Sequence, residues 1–246
     1  MKKLNSNFII VLILLILSVF LYTVQILIYD SPRDTGFYIF QDLAFLPLQI
    51  AIVTIVLGKY LKSREKAERL KKIYVVINAF FSEAGTEILM NLAIFNTNCD
   101  DIRPKLDVQA DWTESIFSKT IKFLLNADLQ IDCTAKRLGT LKELMKSKKD
   151  FLMKIIENPN LLEHDTFTDM LLSVFHLLEE LTARSSFEEG CGADMAHISN
   201  DLKRAYKTLL IQWVEYLRHL KSEYPYLYSL EIRKNPFFQD RSVVIR

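Results

Sequence analysis

The chain begins with two long apolar stretches, residues 8–29 (FIIVLILLILSVFLYTVQILIY) and residues 37–57 (FYIFQDLAFLPLQIAIVTIVL). A helix over the first stretch would be about 33 Å long at 1.5 Å per residue, which is enough to cross a hydrocarbon core of about 30 Å. The connection between them is short and polar, and each helix would satisfy its own backbone hydrogen bonds in lipid. The sequence therefore predicts a two-span transmembrane helical hairpin over 1–58, with spans at about 8–29 and 37–58.

Charged residues around these stretches predict the orientation of the hairpin. Lys2 and Lys3 precede the first stretch, the connection carries a net negative charge, and a basic segment follows the second stretch. Because basic residues stay on the cytoplasmic side, we expect a two-span protein of the cell inner membrane with both termini in the cytoplasm. A cleaved signal peptide fits less well, because its apolar region is usually about 7 to 15 residues long.

The basic segment is expected to contact the lipid bilayer. Each base near anionic headgroups contributes about 1 kcal/mol of attraction, which salt weakens. The same cluster is equally well explained as the topology signal alone. The residues assigned to lipid contact are Lys59, Lys62, Arg64, Lys66, Arg69, Lys71 and Lys72.

Three polar residues of the hairpin, Gln25, Asp42 and Gln49, lie where polar groups are unfavourable in lipid. In a hairpin centred on Arg33, Gln25 lies at the depth of residues 41–42, so these side chains can hydrogen-bond across the hairpin. Alternatively, Asp42 and Gln49 line a pore in an oligomer, because they share one helix face. We favour hydrogen bonding, because Asp42 is near the outer end of its span and apolar residues follow Gln49.

The composition predicts an all-α protein, with a cytosolic helical bundle after the hairpin. Only 6 Gly and 6 Pro occur among 246 residues, too few for a tightly turned β architecture. A net charge of +1 argues against a nucleic-acid partner. Periodicity predicts a basic juxtamembrane amphipathic helix at 59–98, a connector at 99–111, a helical bundle at 112–222 and an aromatic tail at 223–246. We expect the tail to fold back on the bundle.

The last two bundle helices are predicted at about 161–184 and 193–222, each with one apolar face. Polar residues on the opposite faces, which we interpret as solvent-exposed, include His176, Glu179, Glu180, His197, Asp201 and His219.

A metal site would need several His, Asp or Glu side chains that converge on one ion. Within the last helix, the pair His197 and Asp201 and the pair Glu215 and His219 are each four residues apart. Helical rise separates the two pairs by about 27 Å, so they cannot share an ion. The Glu-x-x-His pattern of diiron bundles does not occur. We therefore assign no metal ligand, no cofactor and no catalytic residue.

His164 and Asp165 resemble the His-Asp dyad of the helical HD-type phosphohydrolases. That family also uses an upstream His ligand, and no His precedes His164 in this chain. We interpret Asp165 instead as a residue in the first turn of a helix, where a carboxylate interacts favourably with the macrodipole.

Residues 158–181 and 224–238 resemble stretches of a set of uncharacterised prokaryotic membrane proteins with two N-terminal spans and a helical cytosolic domain. The resemblance extends over most of the chain and implies the same architecture. No activity is known for that set, so the resemblance implies no catalytic residue.

These patterns favour a membrane-anchored cytosolic helical interaction or scaffold protein, without enzymatic activity, that binds a protein partner or forms a homo-oligomer. One alternative is an oligomeric channel or pore built from the hairpin. A second is a metal-dependent helical hydrolase that uses His164, Asp165, His176 or His197.

Overall fold

The computed structural model describes residues 6–29, 32–159, 161, 164–187 and 192–238. All regular secondary structure in these ranges is helical, apart from one isolated antiparallel bridge between Asn96 and Ile131. The all-α prediction is therefore confirmed. The chain divides into two compact units, Met1–Lys66 and Ala67–Arg246.

The N-terminal unit contains α1 (Ser6–Tyr29) and the beginning of α2 (Pro32–Phe80), and most of the large apolar side chains described there are exposed. Among the described residues, one helical stretch, Arg33–Ala93, is long and apolar enough to cross a membrane. The apolar segment described in α1, Ile16–Ile28, is shorter. The described residues thus support one candidate span and do not support the predicted two-span hairpin.

The basic helix predicted at 59–98 belongs to α2, which is followed by a π-helical turn (Phe81–Gly85) and by α3 (Thr86–Ala93). The π-helical turn has Phe81 and Ala84 buried in the core. Gly85 is required in this turn, because a Cβ atom there would lie 2.5 Å from Cε1 of Phe80.

The segment predicted as a connector, 99–111, is partly helical. It contains α4 (Cys99–Ile102) and a short 3-10 helix (Arg103–Leu106). The side chains of Ile102, Leu106 and Val108 are buried. Burial of these apolar side chains orders the connector, although it is rich in polar residues.

The bundle consists of α5 (Glu114–Asn126), α6 (Ala135–Ile156), α7 (Asp165–Ala183) and α8 (Gly192–Glu223), close to the helices predicted from periodicity. Helix α8 is central, because it packs against α3, α5, α7 and a final helix, α9 (Pro225–Arg233). Neighbours on several sides bury more than one arc of α8. Asp201, predicted to face solvent, is buried for this reason.

The aromatic tail packs against the bundle up to residue 238, as predicted. The Tyr228 hydroxyl donates a hydrogen bond of 2.7 Å to the main-chain oxygen of Gln109. The ring of Phe237 meets that of Trp213 edge to face, with centroids 5.5 Å apart. Residues 239–246 lie outside the described part of the chain.

Candidate metal centre between two helices

Four potential metal ligands converge where α7 packs against α8. Helix α7 contributes His176 and Glu180, and α8 contributes His197 and Asp201. One ligand atom from each residue lies within 4.8 Å of the other three. Within each pair the residues are four apart, so both side chains lie on the same face of their helix.

The two helices run antiparallel, which brings the pairs together. Ser173, in the first half of α7, contacts Thr208 of α8, with 2.8 Å between the hydroxyl oxygens. Arg184, directly after α7, contacts Asp194 in the first turn of α8. The cluster lies between these two contacts, with one ligand pair on each helix.

The distances within the cluster suit a single ion. The Oδ2 atom of Asp201 is 3.4 Å from Nε2 of His176 and 3.3 Å from Nε2 of His197. The Oε1 atom of Glu180 is 4.0 Å from the first nitrogen and 3.8 Å from the second. Four atoms bound tetrahedrally at about 2.1 Å from an ion are about 3.4 Å apart. All four ligand atoms lie within 4.8 Å of one another, and Glu180 would move closer to both imidazoles to reach this spacing.

Asp201 has a buried carboxylate oxygen that accepts no hydrogen bond. Its side chain is only 2% exposed, and its Oδ2 atom accepts no hydrogen bond. A buried carboxylate oxygen without a donor is strongly destabilising unless a positive charge compensates it. Either protonated imidazoles or a metal ion between the four side chains would provide that charge.

Arginines lie beside the second oxygens of the two carboxylates, and Arg184 donates a hydrogen bond to that of Glu180. Arg184 Nη1 is 2.6 Å from Oε2 of Glu180, and Arg204 Nη2 is 3.6 Å from Oδ1 of Asp201. The hydrogen bond from Arg184 keeps the pKa of Glu180 below its usual value, so this carboxylate is ionised. Hydrogen bonds to the second oxygen of a carboxylate ligand are typical of the outer shell of metal sites.

One side of the cluster is open to solvent. The side chains of His176 and His197 are 44% and 54% exposed, respectively. Water or another small ligand could approach an ion from this side and bind it if the coordination number rises above four.

Comparison with known proteins identifies the family. A model of the C-terminal helical domain of the uncharacterized protein MJ1433 matches residues 69–233, and a model of its N-terminal helical domain matches residues 2–61. The chain belongs to the MJ1433 family. The uncharacterized protein MJ1433 of Methanocaldococcus jannaschii is 39% identical over 237 residues, which cover 96% of this chain and 95% of that protein. No solved structure matches.

Membership in the MJ1433 family agrees with the helical architecture and does not assign an activity to this chain. The four clustered residues all lie in the part that matches the C-terminal MJ1433 domain. The descriptions of both domains say that they are helical and name no membrane span. The family match therefore supports two helical domains and leaves the two membrane spans a prediction.

The lipid-contacting residues predicted in this MJ1433-family chain are exposed where their side chains are described. This group comprises Lys59, Lys62, Arg64, Lys66, Lys71 and Lys72. The side chain of Arg69 lies outside the described part of the structure. Lipid contact stays a prediction.

Of the polar residues predicted in the hairpin, Asp42 accepts a hydrogen bond of 2.9 Å from the hydroxyl of Tyr22. Tyr22 lies one turn before Gln25, which was predicted to lie at the depth of Asp42. The register of the two helices therefore differs from the prediction. Gln25 is half-buried and Gln49 is exposed. Both alternatives for Gln25, Asp42 and Gln49, hydrogen bonding between the helices and a pore lining, stay predictions.

The four histidines divide into two groups. His176 and His197 belong to the cluster, whereas the Nδ1 atom of His164 accepts a hydrogen bond from the main-chain nitrogen of Phe167 and caps α7. Asp165 lies in the first turn of α7, as predicted. His219 stacks on Tyr74, with ring centroids 3.3 Å apart.

Sequence analysis missed the cluster because it compared pairs within one helix. The available signal was the repetition of a short pattern, His176-x-x-x-Glu180 and His197-x-x-x-Asp201, on consecutive helices joined by a short connection. Antiparallel packing of such helices brings the two patterns face to face.

Proposed function

We propose that this chain is a membrane-tethered helical protein whose C-terminal unit binds one divalent transition-metal ion between α7 and α8. The observation that carries the proposal is the convergence of two imidazoles and two carboxylates around the buried Oδ2 atom of Asp201, which accepts no hydrogen bond. Mixed nitrogen and oxygen ligands favour Zn²⁺, Fe²⁺ or Mn²⁺ over Ca²⁺ and Mg²⁺, which prefer oxygen alone.

The exposed side of the centre leaves room for a reactive site. Four protein ligands fill a tetrahedral zinc site, so a bound water would need a fifth or sixth position on that side, as Fe²⁺ and Mn²⁺ sites provide. An ion bound beside the half-exposed His176 and His197 can lower the pKa of a bound water and polarise an oxygen of a substrate. Metal-dependent hydrolysis is therefore the second candidate function, with His176 and His197 as ligands.

Metal content of the purified full-length protein tests the proposal. We expect about one transition-metal ion per chain after reconstitution and removal of loose ions. The matched substitutions Glu180→Gln and Glu179→Gln change adjacent residues of α7, one in the cluster and one exposed outside it. Glu180→Gln should weaken binding and Glu179→Gln should not. A folded wild-type protein that retains no ion would refute the metal centre.

The tether is the second part of the proposal. It is supported by the exposed apolar side chains of α1 and of the beginning of α2, and by the exposed bases that follow them. We infer that this unit inserts in the inner membrane as two spans, with both termini in the cytoplasm and the bases at anionic headgroups. The C-terminal unit would then be free to meet a protein partner or a second copy.

Cysteine labelling tests this topology. In a chain whose native cysteines are replaced by Ser, a cysteine at Arg33 should react with an impermeant reagent from outside the cell. A cysteine at Glu179, which is exposed, should react only after the membrane is opened. Labelling of Glu179→Cys in intact cells, or recovery of the protein in the soluble fraction, would contradict the proposed topology.

A further inference from the structure

Arg184 connects the proposed metal centre to the junction between α7 and α8. It follows directly after α7, and its guanidinium donates through Nη1 to both the main-chain oxygen and Oε2 of Glu180, at 2.6 Å each. Its Nη2 atom is 2.7 Å from Oδ1 of Asp194, in the first turn of α8. Its own main-chain oxygen accepts a hydrogen bond from Lys142 of α6. One residue thus joins three helices beside the cluster.

The contact with Arg184 determines how Glu180 is presented to the cluster. Because Oε2 is held by the guanidinium, Oε1 is the oxygen that faces the two imidazoles, at 4.0 Å from His176 and 3.8 Å from His197. A free glutamate would distribute its side chain over several rotamers, and ordering it at the ion would reduce the affinity.

The positive charge of Arg184 does not by itself exclude a cation nearby, because two carboxylates offset it. Glu180 and Asp194 both pair with the guanidinium, at 2.6 Å and 2.7 Å, respectively. Breaking the pair with Asp194 would leave Arg184 partly uncompensated near the centre and free to move.

We propose that Arg184 is a positioning residue of the metal centre, which orients Glu180 as a ligand and, through Asp194, couples metal affinity to the junction between α7 and α8. This inference rests on the proposed metal binding. Two contacts join α7 to α8 about one turn apart. Arg184 contacts Asp194, and Glu180 contacts His197. A metal ion that orders one contact therefore favours the other, and the coupling is reciprocal.

A purely structural role for Arg184 is the alternative, and Arg218 provides the control. Arg218 pairs with Glu215 on its own helix, at 2.5 Å, and with Glu114 of α5, at 3.3 Å. It therefore also joins two helices through two carboxylates. Helical rise places it about 25 Å along α8 from Asp201, too far to act on the centre.

The test is titration of the full-length protein in detergent with Co²⁺, whose visible absorption bands report the number and type of its ligands. We expect Arg184→Gln to weaken Co²⁺ binding by roughly 10- to 100-fold and to change the spectrum, since Glu180 is no longer held at the ion. Arg184→Lys should restore part of the affinity, because an ammonium can pair with Glu180 without the fork of the guanidinium. Arg218→Gln should bind Co²⁺ with the affinity and spectrum of the wild type.

Asp194→Asn extends the test to the coupling, and it is the milder change if Arg184→Gln does not fold. It leaves every proposed ligand in place, so a weaker affinity would show that the effect passes through Arg184. The double variant Arg184→Gln/Asp194→Asn should then bind no more weakly than Arg184→Gln, because both changes break one chain of contacts.

The outcomes separate the two proposals. If the wild-type protein binds no Co²⁺, the metal centre itself is refuted. If the wild type binds Co²⁺ and Arg184→Gln shows the wild-type affinity and spectrum, the positioning role is overturned while the centre stands. An equal loss of affinity in Arg184→Gln and Arg218→Gln, without a spectral change, would also overturn it, because that result indicates general destabilisation.

Discussion

Two regions of the C-terminal unit each gather two of the four histidines, and their surroundings differ. His176 and His197 lie beside two carboxylates, partly open to solvent. His164 and His219 lie against the ring of Tyr74, which contacts the first edge to face at 5.8 Å and stacks on the second at 3.3 Å. In the first region, the carboxylates favour a cation between the imidazoles. In the second region, aromatic packing favours the neutral form of each ring.

The largest expected effect is the loss of bound metal from one region only. The double variant His176→Asn/His197→Gln should lose the ion, because it removes both nitrogen ligands. The matched variant His164→Asn/His219→Gln should keep about one ion per chain, and Asn at position 164 still provides a cap for α7. Elemental analysis of both purified proteins makes the comparison. Equal metal content in the two variants would show that the clustered histidines have no special role.

The next effect is stabilisation by the ion. At a free metal concentration of about 100 times Kd, an ion that binds only the folded state adds about 2.7 kcal/mol to the free energy of unfolding. For a unit of this size, that corresponds to a rise in Tm of roughly 5–11 °C. Thermal unfolding with Zn²⁺ and with EDTA should show this rise in the wild type and in His164→Asn/His219→Gln. The same rise in His176→Asn/His197→Gln would place the ion elsewhere.

Substitution of Asp201 should have a smaller effect on stability, and the sign of this effect should differ between the metal-free and the metal-bound protein. Without metal, Asp201→Asn removes a buried charge whose Oδ2 lacks a donor, so it should leave stability unchanged or raise it by about 1 kcal/mol. With metal, it removes a ligand and should cancel the stabilisation by the ion. Tm measured at about pH 8, where free imidazole is neutral, gives both comparisons.

Asp169→Asn is the control for that measurement. Asp169 is an exposed carboxylate of α7 outside the cluster, so its substitution should change stability by less than about 0.5 kcal/mol in either state. Strong destabilisation by Asp201→Asn without metal would show that Arg204 or the imidazoles already compensate the carboxylate, and it would count against a bound ion.

The contrast also shows which parts of the molecule the sequence could predict. Helices α5 to α8 follow from apolar periodicity, because each must bury one face. Asp201 could not be placed by periodicity, since α8 has neighbours on several sides. The π-helical turn at Phe81–Gly85 depends on ring packing around Phe80, which no spacing of residues records.

The candidate centre was hidden from sequence analysis for a related reason. Each ligand pair is visible as a His and a carboxylate four residues apart, but such pairs are common on solvated helix faces. Only the antiparallel contact of α7 with α8 brings the two pairs to one point. The short connection between the helices was a usable signal. It becomes informative only when the His-carboxylate pair before the connection is compared with the pair after it.

The smallest expected effect concerns the pH dependence of the aromatic region. Burial lowers the pKa of His164 and His219 below the usual 6.5, and this outweighs the raising effect of Asp165 and of Glu223, respectively. Tyr74, whose pKa is raised, stays neutral near pH 6. The unfolded chain therefore binds more protons than the folded chain as pH falls through about 6.5, so these two residues reduce stability in acid.

His164→Asn/His219→Gln should consequently lose less stability than the wild type between pH 7.5 and pH 5. Tm measured across this range in EDTA, with the cluster variant His176→Asn/His197→Gln alongside, isolates the contribution of the aromatic region from that of the cluster. Parallel curves for the wild type and His164→Asn/His219→Gln would mean that stacking on Tyr74 does not keep these rings neutral. The two histidine regions would then differ only in their carboxylates, Glu180 and Asp201.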